Sequence, residues 1–409
     1  MSLIDSFNRK IDYLRVSVTD RCNFRCVYCM PEQGAPVAPK SEILTFEEIE
    51  CLVRIAVELG MSKVRLTGGE PLIRKDIDLL VRKIGALPGV TDLSLTTNGF
   101  LLARYASDFA RSGVNRINIS LDTLKPERFT SIARRGNLSE VLEGIAAAEK
   151  VGLAPIKLNC VVMRGWNDDE VVDFARLSLD HPYDVRFIEL MPINWSKGDD
   201  SPADNGMSDY FALAAAPGYT RNTNVTLYAR EDLASFQAGM RFPDSNISTA
   251  SLTRNKTSHA DISLKALSDT TSQTGQLDAR QMRKAFISSG EIRERIEKAL
   301  GGLLPAEVQT NGPARSYRLP TAKGTVGFIS QITNDMCLSC NRLRLTADGQ
   351  LRPCLMADGE VDLRNALRRG DSDAAIADLF RLTVLHKPKE HRLEDGAMPT
   401  GRNMSQLGG

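Results

Sequence analysis

Two groups of closely spaced cysteines are the residues in this sequence best suited to chemistry. A reducing compartment is expected, because residues 1–12 are polar and nothing directs the chain to an oxidising one. In a reducing compartment, clustered thiols indicate a metal site more strongly than disulfide bonds. Three thiolates can hold three irons of a [4Fe–4S] cluster and leave the fourth iron open, as a catalytic site requires. The groups are Cys22, Cys26 and Cys29, and then Cys337, Cys340 and Cys354.

Other interpretations of these cysteines stay open. Each group could hold a structural zinc ion with a distant fourth ligand, which for the second group could be His386 or His391. The first group could also consist of redox-active thiols. The two remaining cysteines, Cys51 and Cys160, fall in an apolar helix face and in a strand, so we expect both to be small buried side chains.

Charge and composition exclude several classes of protein. The 52 Lys and Arg residues balance 51 Asp and Glu residues, and a net charge of +1 argues against a general nucleic-acid or membrane-surface binder. Hydrophobic content is 42%, enough for a packed core. No apolar run approaches the length of a spanning helix, and we expect a cytoplasmic protein. A chain of 409 residues predicts two or three domains.

The elements that must position the first cysteine group alternate between two kinds of segment. Phe46 begins the clearest helix, with Thr45 and Glu48 as a capping box and Gly60 as its end. The alternation predicts an α/β fold, a parallel sheet with outer helices that stops short of a full TIM-type barrel, written (β/α)6. Predicted strands are 13–18, 63–67, 92–97, 115–121, 156–163 and 184–190, and predicted helices are 46–59, 76–84, 101–112, 138–150 and 168–179.

Residues that could do chemistry directly follow these strands. In α/β barrels the active site lies at the C-terminal ends of the strands, so we expect these residues to converge there. They are the first cysteine group, Gly68 to Glu70, Asn98 and Gly99, Asp122, and Met191 with Pro192.

Residues 199–284 interrupt the alternation. They are rich in Ser, Thr and Asn and carry no chemical motif, and three matches to glycosylation acceptors are attributed to chance. We predict a polar, partly disordered insertion between a barrel domain at 1–198 and a C-terminal α+β domain at 285–409. A partner-binding module is the alternative.

Regular patterns return after the insertion. Ser288 and Glu291 suggest a second capping box, with a helix ending at Gly301. Asp348-Gly349 lies between two β-like runs and predicts a hairpin, which would bring Cys354 back toward the other two cysteines of its group.

The motifs resemble a known superfamily. Cys22-x3-Cys26-x2-Cys29, with Tyr28 before the last cysteine, resembles the signature of radical S-adenosylmethionine (SAM) enzymes, and Gly68-Gly69-Glu70-Pro71 resembles their SAM-binding turn. Both cysteine groups together resemble the GTP 3′,8-cyclase family, called MoaA, over 13–197 and 286–409. The resemblance implies two [4Fe–4S] clusters, the second in a C-terminal domain with its open iron on the guanine base.

The activity that this resemblance implies is a radical SAM lyase reaction. A 5′-deoxyadenosyl radical removes hydrogen from the ribose C3′ of GTP, and the carbon radical attacks guanine C8. The product is (8S)-3′,8-cyclo-7,8-dihydroguanosine 5′-triphosphate, in the first step of molybdenum cofactor biosynthesis. Implied partners are an electron donor and a MoaC-type enzyme downstream, with no nucleic acid or membrane, and a homodimer is allowed.

The resemblance also assigns site residues one by one. Buried cations on strands need a counter-charge, and a polyanionic nucleotide would supply it. The bare glycines at the chain end are implied to reach the active site. The assigned residues are Tyr28, Gly69, Ser120 and Met191 for SAM; Arg15, Arg65, Thr96, Lys157, Arg342, Leu343 and Arg344 for GTP; and Gly408 and Gly409 for catalysis.

Two rival functions stay open. One is a different two-cluster radical enzyme, such as a peptide-modifying one, which would not be stabilised by GTP. The other is an iron–sulfur electron carrier or a zinc-stabilised binding protein, whose metal would have four protein ligands.

Overall fold

A computed structural model describes residues 2–191, 193, 275–307, 312–334, 336–393 and 402–408. The six predicted strands are present in the first half, each within one residue of its predicted bounds. A short hairpin of β1 (Leu3–Ile4) and β2 (Lys10–Ile11) precedes them and was not predicted. The six are β3 (Tyr13–Ser17), β4 (Lys63–Thr67), β5 (Asp92–Thr97), β6 (Val114–Ser120), β7 (Ile156–Val162) and β8 (Asp184–Glu189).

Helices follow the strands as the alternation predicted. The capping box of the first helix is present: the Thr45 hydroxyl accepts from the Glu48 amide at 3.2 Å, and the Glu48 carboxylate accepts from the Thr45 amide at 2.7 Å. The fourth helix was not predicted; it starts with a proline, which suits the first turn of a helix. The helices are α1 (Phe46–Glu58), α2 (Ile77–Gly85), α3 (Leu102–Arg111), α4 (Pro126–Ala133), α5 (Leu138–Lys150) and α6 (Val171–Asp180).

The second half of the chain has short strands and five helices within its described residues. The Asp348-Gly349 hairpin forms as predicted, between two antiparallel strands. The elements are α7 (Ala279–Ala285), α8 (Ser289–Leu300), β9 (Leu304–Pro305), β10 (Arg315–Arg318), β11 (Thr325–Ile329), β12 (Arg342–Leu345), β13 (Gln350–Arg352), β14 (Val361–Asp362), α9 (Leu363–Arg368), α10 (Asp373–Leu385) and α11 (Met404–Leu407).

The sheet is longer than six strands because the C-terminal half extends it on both sides. β12 pairs in parallel with β3, and β11 pairs in parallel with β8. Eight parallel strands therefore stand in a row, with β13 and β14 beyond β12 and β10 and β9 beyond β11. The fold is an α/β incomplete barrel whose C-terminal part supplies the flanking strands, so β12 carries its residues into the same barrel interior as β3.

The start of α8 differs in one detail from the predicted capping box. The Ser288 hydroxyl accepts from the Glu291 amide at 3.2 Å. The Glu291 carboxylate, however, pairs with Arg164 and Arg295 instead of reaching back to the helix start. Two guanidinium groups are stronger partners for a carboxylate than a backbone amide, so tertiary packing overrides the local motif.

Residues 199–274 of the predicted insertion lie outside the described residues, and its boundaries stay a prediction. From residue 275 the chain packs on the barrel: the Leu277 amide donates to the Val27 carbonyl at 2.9 Å, and both side chains are buried in one apolar cluster. None of the described helices is long and apolar enough to span a lipid bilayer.

Candidate active site at the C-terminal ends of the strands

One cavity lies at the C-terminal ends of the parallel strands. Its walls come from the strands themselves and from the loops that directly follow them, as the barrel architecture requires. Twelve of the residues assigned from the sequence line it: Arg15, Cys22, Cys26, Tyr28, Cys29, Arg65, Gly69, Thr96, Ser120, Met191, Arg342 and Arg344.

The first cysteine group forms a tight turn after β3. The amides of Cys29 and Met30 both donate to the Cys26 carbonyl, at 2.9 and 3.1 Å. Burial raises the pKa of the Cys22 thiol to about 11 and that of the Cys29 thiol to about 12. Burial also raises the pKa of the Cys26 thiol, and the negative charges of the other two thiolates raise it further. Three such thiolates can coexist only with a strong positive charge among them, and the irons of a cluster supply it. The soft, three-thiol donor set therefore fits an iron–sulfur cluster.

The glycine turn after β4 is packed against the backbone of the cysteine loop. The Gly69 amide donates to the Thr19 carbonyl at 2.8 Å. A Cβ atom added to Gly69 would lie 2.1 Å from the Arg21 carbonyl oxygen, and one added to Gly68 would lie 2.5 Å from that of Thr19. Only glycine allows this approach, so the two loops are held together as one surface of the cavity.

Glu70 fixes the next loop to this surface. Its carboxylate accepts from the Thr97 hydroxyl at 2.7 Å and from the Asn98 amide at 2.6 Å. Burial raises its pKa to about 7, against the opposing effect of these hydrogen bonds. Both oxygens of the Glu70 carboxylate accept hydrogen bonds from the protein, so its role is to join the ends of β4 and β5.

Tyr28 is oriented by Asp122, which follows β6. The phenol donates to the Asp122 carboxylate at 2.8 Å, and the other carboxylate oxygen accepts from the Val161 amide at 2.9 Å. Burial raises the pKa of Asp122 to about 6. The sequence placed Asp122 at a strand end but assigned it no role; the structure makes it the residue that orients the Tyr28 ring at the edge of the cysteine loop.

Cations point from the strands into the barrel. Arg15 on β3 and Arg65 on β4 are buried, and burial lowers the pKa of both guanidinium groups. Beside them the Thr96 hydroxyl is buried with no hydrogen-bond partner among the described residues. Buried polar groups are normally satisfied, so a hydroxyl left without a partner next to two arginines indicates a polar, anionic ligand.

Lys157 lies deeper in the barrel than the cavity lining. It is two residues before Asn159 on β7, hence on the same face of the strand, and Asn159 lines the cavity. The Lys157 side chain is fully buried, with its ammonium 3.7 Å from the Asp184 carboxylate. Burial, together with the neighbouring Arg186, lowers its pKa to about 6.

The second cysteine group is assembled around the β12–β13 hairpin and does not itself line the cavity. The Cys340 amide donates to the Cys337 carbonyl at 3.0 Å. Lys387 is buried nearby, and its ammonium donates to the carbonyls of Arg342 and Pro353, at 2.9 and 2.6 Å, which flank Cys340 and Cys354. Burial alone would raise the pKa of the Cys340 thiol, but the charges of Arg342 and Lys387 outweigh it and lower the pKa to about 6.

Both histidines of the zinc alternative bond to backbone carbonyls. His386 bonds the Leu382 carbonyl and His391 bonds the Gln331 carbonyl. Across the described ranges, no three His, Cys, Asp or Glu side chains are arranged to hold a single metal ion. The fit of both cysteine groups to clusters therefore depends on their donor chemistry. None of the eight cysteines, all described, is in a disulfide bond.

Leu343 points away from the cavity that its two neighbours line. Alternation along β12 sends Arg342 and Arg344 inward and the Leu343 side chain into the apolar core, where it is fully buried. Any contact of Leu343 with a ligand is therefore limited to its backbone.

The C-terminal tail enters the barrel between two of these arginines. The Gly408 carbonyl accepts from Arg15 at 3.0 Å and from Arg344 at 3.1 Å. Gly408 has a φ of +72°, and a Cβ there would lie 3.0 Å from the Thr67 side chain. Gly409 lies outside the described residues.

Asn159, Arg186 and Ser405 are among the further residues that line the cavity and that no sequence motif indicated. Arg186 is a charge within a buried strand, the same signal that identified Arg15 and Arg65, and it could have been found in that way. The Ser405 hydroxyl and the Asn159 side-chain oxygen are buried with no described partner. Nothing in the sequence marks Ser405, because it reaches the cavity only through the fold of the tail.

Comparison with known proteins agrees with this architecture. The Radical SAM superfamily model matches residues 16–178, and the Molybdenum Cofactor Synthesis C model matches residues 271–393. GTP 3′,8-cyclase of Moorella thermoacetica is 40% identical over 405 residues, covering 99% of both chains. That of Heliobacterium modesticaldum is 42% identical over 408 residues and 100% of both chains, and that of Pelotomaculum thermopropionicum 40% over 406 residues and 99% of both. With such similarity along its whole length, the chain belongs to the GTP 3′,8-cyclase family of the radical SAM superfamily.

Proposed function

We propose that this chain is a GTP 3′,8-cyclase that holds SAM and GTP side by side in the cavity at the strand ends. It converts GTP to (8S)-3′,8-cyclo-7,8-dihydroguanosine 5′-triphosphate, in molybdenum cofactor biosynthesis. One observation carries the assignment: three thiols, a glycine turn and a set of strand-borne arginines open into one cavity. A site for an iron–sulfur cluster and a site for a polyanionic ligand therefore share one cavity.

The thiol side of the cavity suits SAM. Cys22, Cys26 and Cys29 would hold the cluster at which SAM binds, and SAM would there supply a 5′-deoxyadenosyl radical for removal of the ribose C3′ hydrogen of GTP. The chain holds the cofactor through the backbone at Gly69, the Tyr28 edge that Asp122 orients, the Ser120 hydroxyl and the apolar Met191 side chain.

The arginine side of the cavity suits GTP. Arg15, Arg65 and Arg344 are buried in the barrel, and Thr96 offers an unsatisfied hydroxyl. A triphosphate would place negative charge beside these arginines and accept forked hydrogen bonds from them. Lys157 adds a cation at the deeper end. These groups fix the ribose in place and exclude water while the C3′–C8 bond forms.

The second cysteine group is proposed to hold a second [4Fe–4S] cluster, through Cys337, Cys340 and Cys354. The lowered pKa of Cys340 and the buried charge of Lys387 favour thiolates there. Arg342 links this group to the cavity, because it lines the cavity and also bonds the Cys340 thiol. A cluster held there would supply an open iron as a binding position for the guanine base.

Partners follow from the chemistry. Each turnover needs electrons, so a one-electron donor protein is proposed, and a MoaC-type enzyme would consume the reactive product. A homodimer is proposed as the form to look for by sedimentation of the anaerobic protein.

The test is anaerobic reconstitution with iron and sulfide, followed by incubation with SAM, GTP and a reductant. We expect 5′-deoxyadenosine and the cyclised nucleotide in equal amounts, and about eight irons per chain. Cys22→Ser should abolish both products. Cys340→Ser should lower iron to about four per chain while the first cluster still cleaves SAM.

Two outcomes would overturn the proposal. One is 5′-deoxyadenosine formation that GTP neither stimulates nor diverts into a cyclised nucleotide. The other is zinc, in place of iron, in the protein purified without oxygen. Four irons per chain together with full cyclisation activity would contradict only the proposal of a second cluster.

A further inference from the structure

The last described residues of the chain form an ordered tail against the barrel. Asn403 starts the short helix α11, and Leu407 is buried in an apolar cluster with Phe286 and Ile332. The Ser405 side chain faces the cavity, and the Gly408 carbonyl lies on the guanidinium groups of two barrel arginines. A seven-residue segment with one buried apolar anchor needs another restraint to stay in a single conformation.

Arg402, at the start of the tail, makes four hydrogen bonds to two carboxylates. Its guanidinium donates to both oxygens of Asp348, at 3.1 and 2.9 Å. It also donates to both oxygens of Glu360, at 2.5 and 2.9 Å. The three side chains are 17 to 23% exposed, so solvent screens them less than a surface pair. Arg352, whose side chain is buried, also pairs with the Glu360 carboxylate and restrains it.

One partner of Arg402, Asp348, belongs to the hairpin that brings arginines into the cavity. Asp348 lies in the turn between β12 and β13, and Arg344 lies on β12 itself. The tail is therefore attached to one rigid hairpin at two points, through Arg402 at the turn and through the Gly408 carbonyl at Arg344. The separation of these two points sets where the residues between them lie.

We propose that Arg402, together with Asp348 and Glu360, is the positioning group that fixes the C-terminal tail over the active-site cavity. Arg402 does not line the cavity and would not touch substrate. It acts through the tail, by holding Ser405 toward the cavity and Gly408 on Arg344. The functional consequence depends on the proposed cyclisation of GTP; the structural consequence does not.

Hydrogen exchange of the tail tests the structural part without any ligand. The amides of Gln406 and Leu407 donate to the Asn403 carbonyl, and that of Gly408 to Met404, so all three should be protected in the full-length purified protein. Arg402→Ala should speed their exchange about ten-fold or more. Arg402→Lys keeps the positive charge but loses the paired guanidinium donors, so its exchange rates should lie between those of the parent and of Arg402→Ala. Arg381→Ala is the matched control, since Arg381 makes one exposed pair with Asp378.

Turnover tests the functional part. In the reconstituted enzyme, Arg402→Ala should lower the amount of cyclised nucleotide several-fold per 5′-deoxyadenosine released, because a loose tail leaves the nucleotide poorly held. Iron content should not change.

Each outcome decides something. Unchanged exchange at residues 402–408 in Arg402→Ala, or exchange that rises equally in the barrel strands, would overturn the positioning role. A loosened tail with normal coupling would overturn its importance for the reaction. Failure of the parent chain to cyclise GTP would instead count against the proposed function and leave the exchange result standing.

Discussion

The ammonium nitrogen of Lys157 lies 3.7 Å from the Asp184 carboxylate, with no hydrogen bond to any described residue, inside a barrel lined with arginines. Arg186 pairs with the same carboxylate at 2.5 Å, so Lys157 shares Asp184 with a second cation. The charged form of Lys157 is therefore disfavoured in the ligand-free chain, and a nearby anion would stabilise it.

Binding of GTP should therefore take up a proton at Lys157. Its pKa in the ligand-free chain is about 6, because of burial and then of Arg186, so the amine is mostly neutral at pH 7.5. A triphosphate nearby raises that pKa, and binding should take up close to one proton between pH 6 and the new value. Calorimetry of GTP binding in two buffers that differ in ionisation enthalpy measures the uptake.

Lys157→Met is the matched variant for this measurement. It should bind GTP more weakly and without the buffer-dependent heat. Heat that is the same in both buffers for the parent chain would contradict the prediction. The sign also has a consequence for stability: the folded pKa lies below the ordinary lysine value, so the contribution of Lys157 to stability rises with pH from about 6 upward.

Gly69→Ala should disable the first cluster. The added Cβ would lie 2.1 Å from the Arg21 carbonyl oxygen and 3.1 Å from the Cys22 amide, so the cysteine loop must move away. Reconstituted protein should hold about four irons per chain in place of about eight, and should lose SAM binding.

The control for this change is Gly302→Ala, where nothing lies within 4 Å of the added Cβ atom. It should keep full iron content. Equal iron in both variants and the parent would show that the close approach of the two loops has no role in assembling the cluster.

Ser405→Ala should weaken GTP binding by roughly two- to ten-fold, the cost of one neutral hydrogen bond. The Ser405 hydroxyl is buried, faces the cavity and has no partner in the described part of the chain, so a ligand atom is its expected acceptor or donor. Equilibrium dialysis with GTP measures the affinity, and Ser139→Ala, at an exposed position of α5, is the comparison. An unchanged Kd would assign the hydroxyl to water.

Lys387→Met should selectively weaken the second cluster. The change removes the positive charge beside Cys340 and leaves the Arg342 and Pro353 carbonyls without their donor. Iron should fall toward about four per chain, while SAM binding at the first cluster persists. Lys389→Met, at an exposed neighbouring lysine, should retain full iron. A loss of SAM binding together with iron would point instead to general unfolding.

Much of the barrel could be predicted from local patterns. The six strands follow from β-branched runs, and the capping box at Thr45 sets the start of α1, because both signals lie within a few residues of chain. The cysteine spacings and the Gly68-Gly69 turn likewise pointed to the cluster and to SAM. Such short-range rules do not depend on what the rest of the chain does.

The sequence by itself therefore determined the order of most strands and helices and the charges at strand positions, and it predicted the proposed cluster ligands. Tertiary structure alone decided that β12 lies beside β3, because strand pairing between positions some 330 residues apart leaves no local trace. It also decided that Leu343 is core while its neighbours face the cavity, that Glu291 leaves its capping role for Arg164, and that Arg402 meets Asp348. Each of these depends on which surfaces meet after folding, and long-range contacts of that kind are set by packing the whole chain at once.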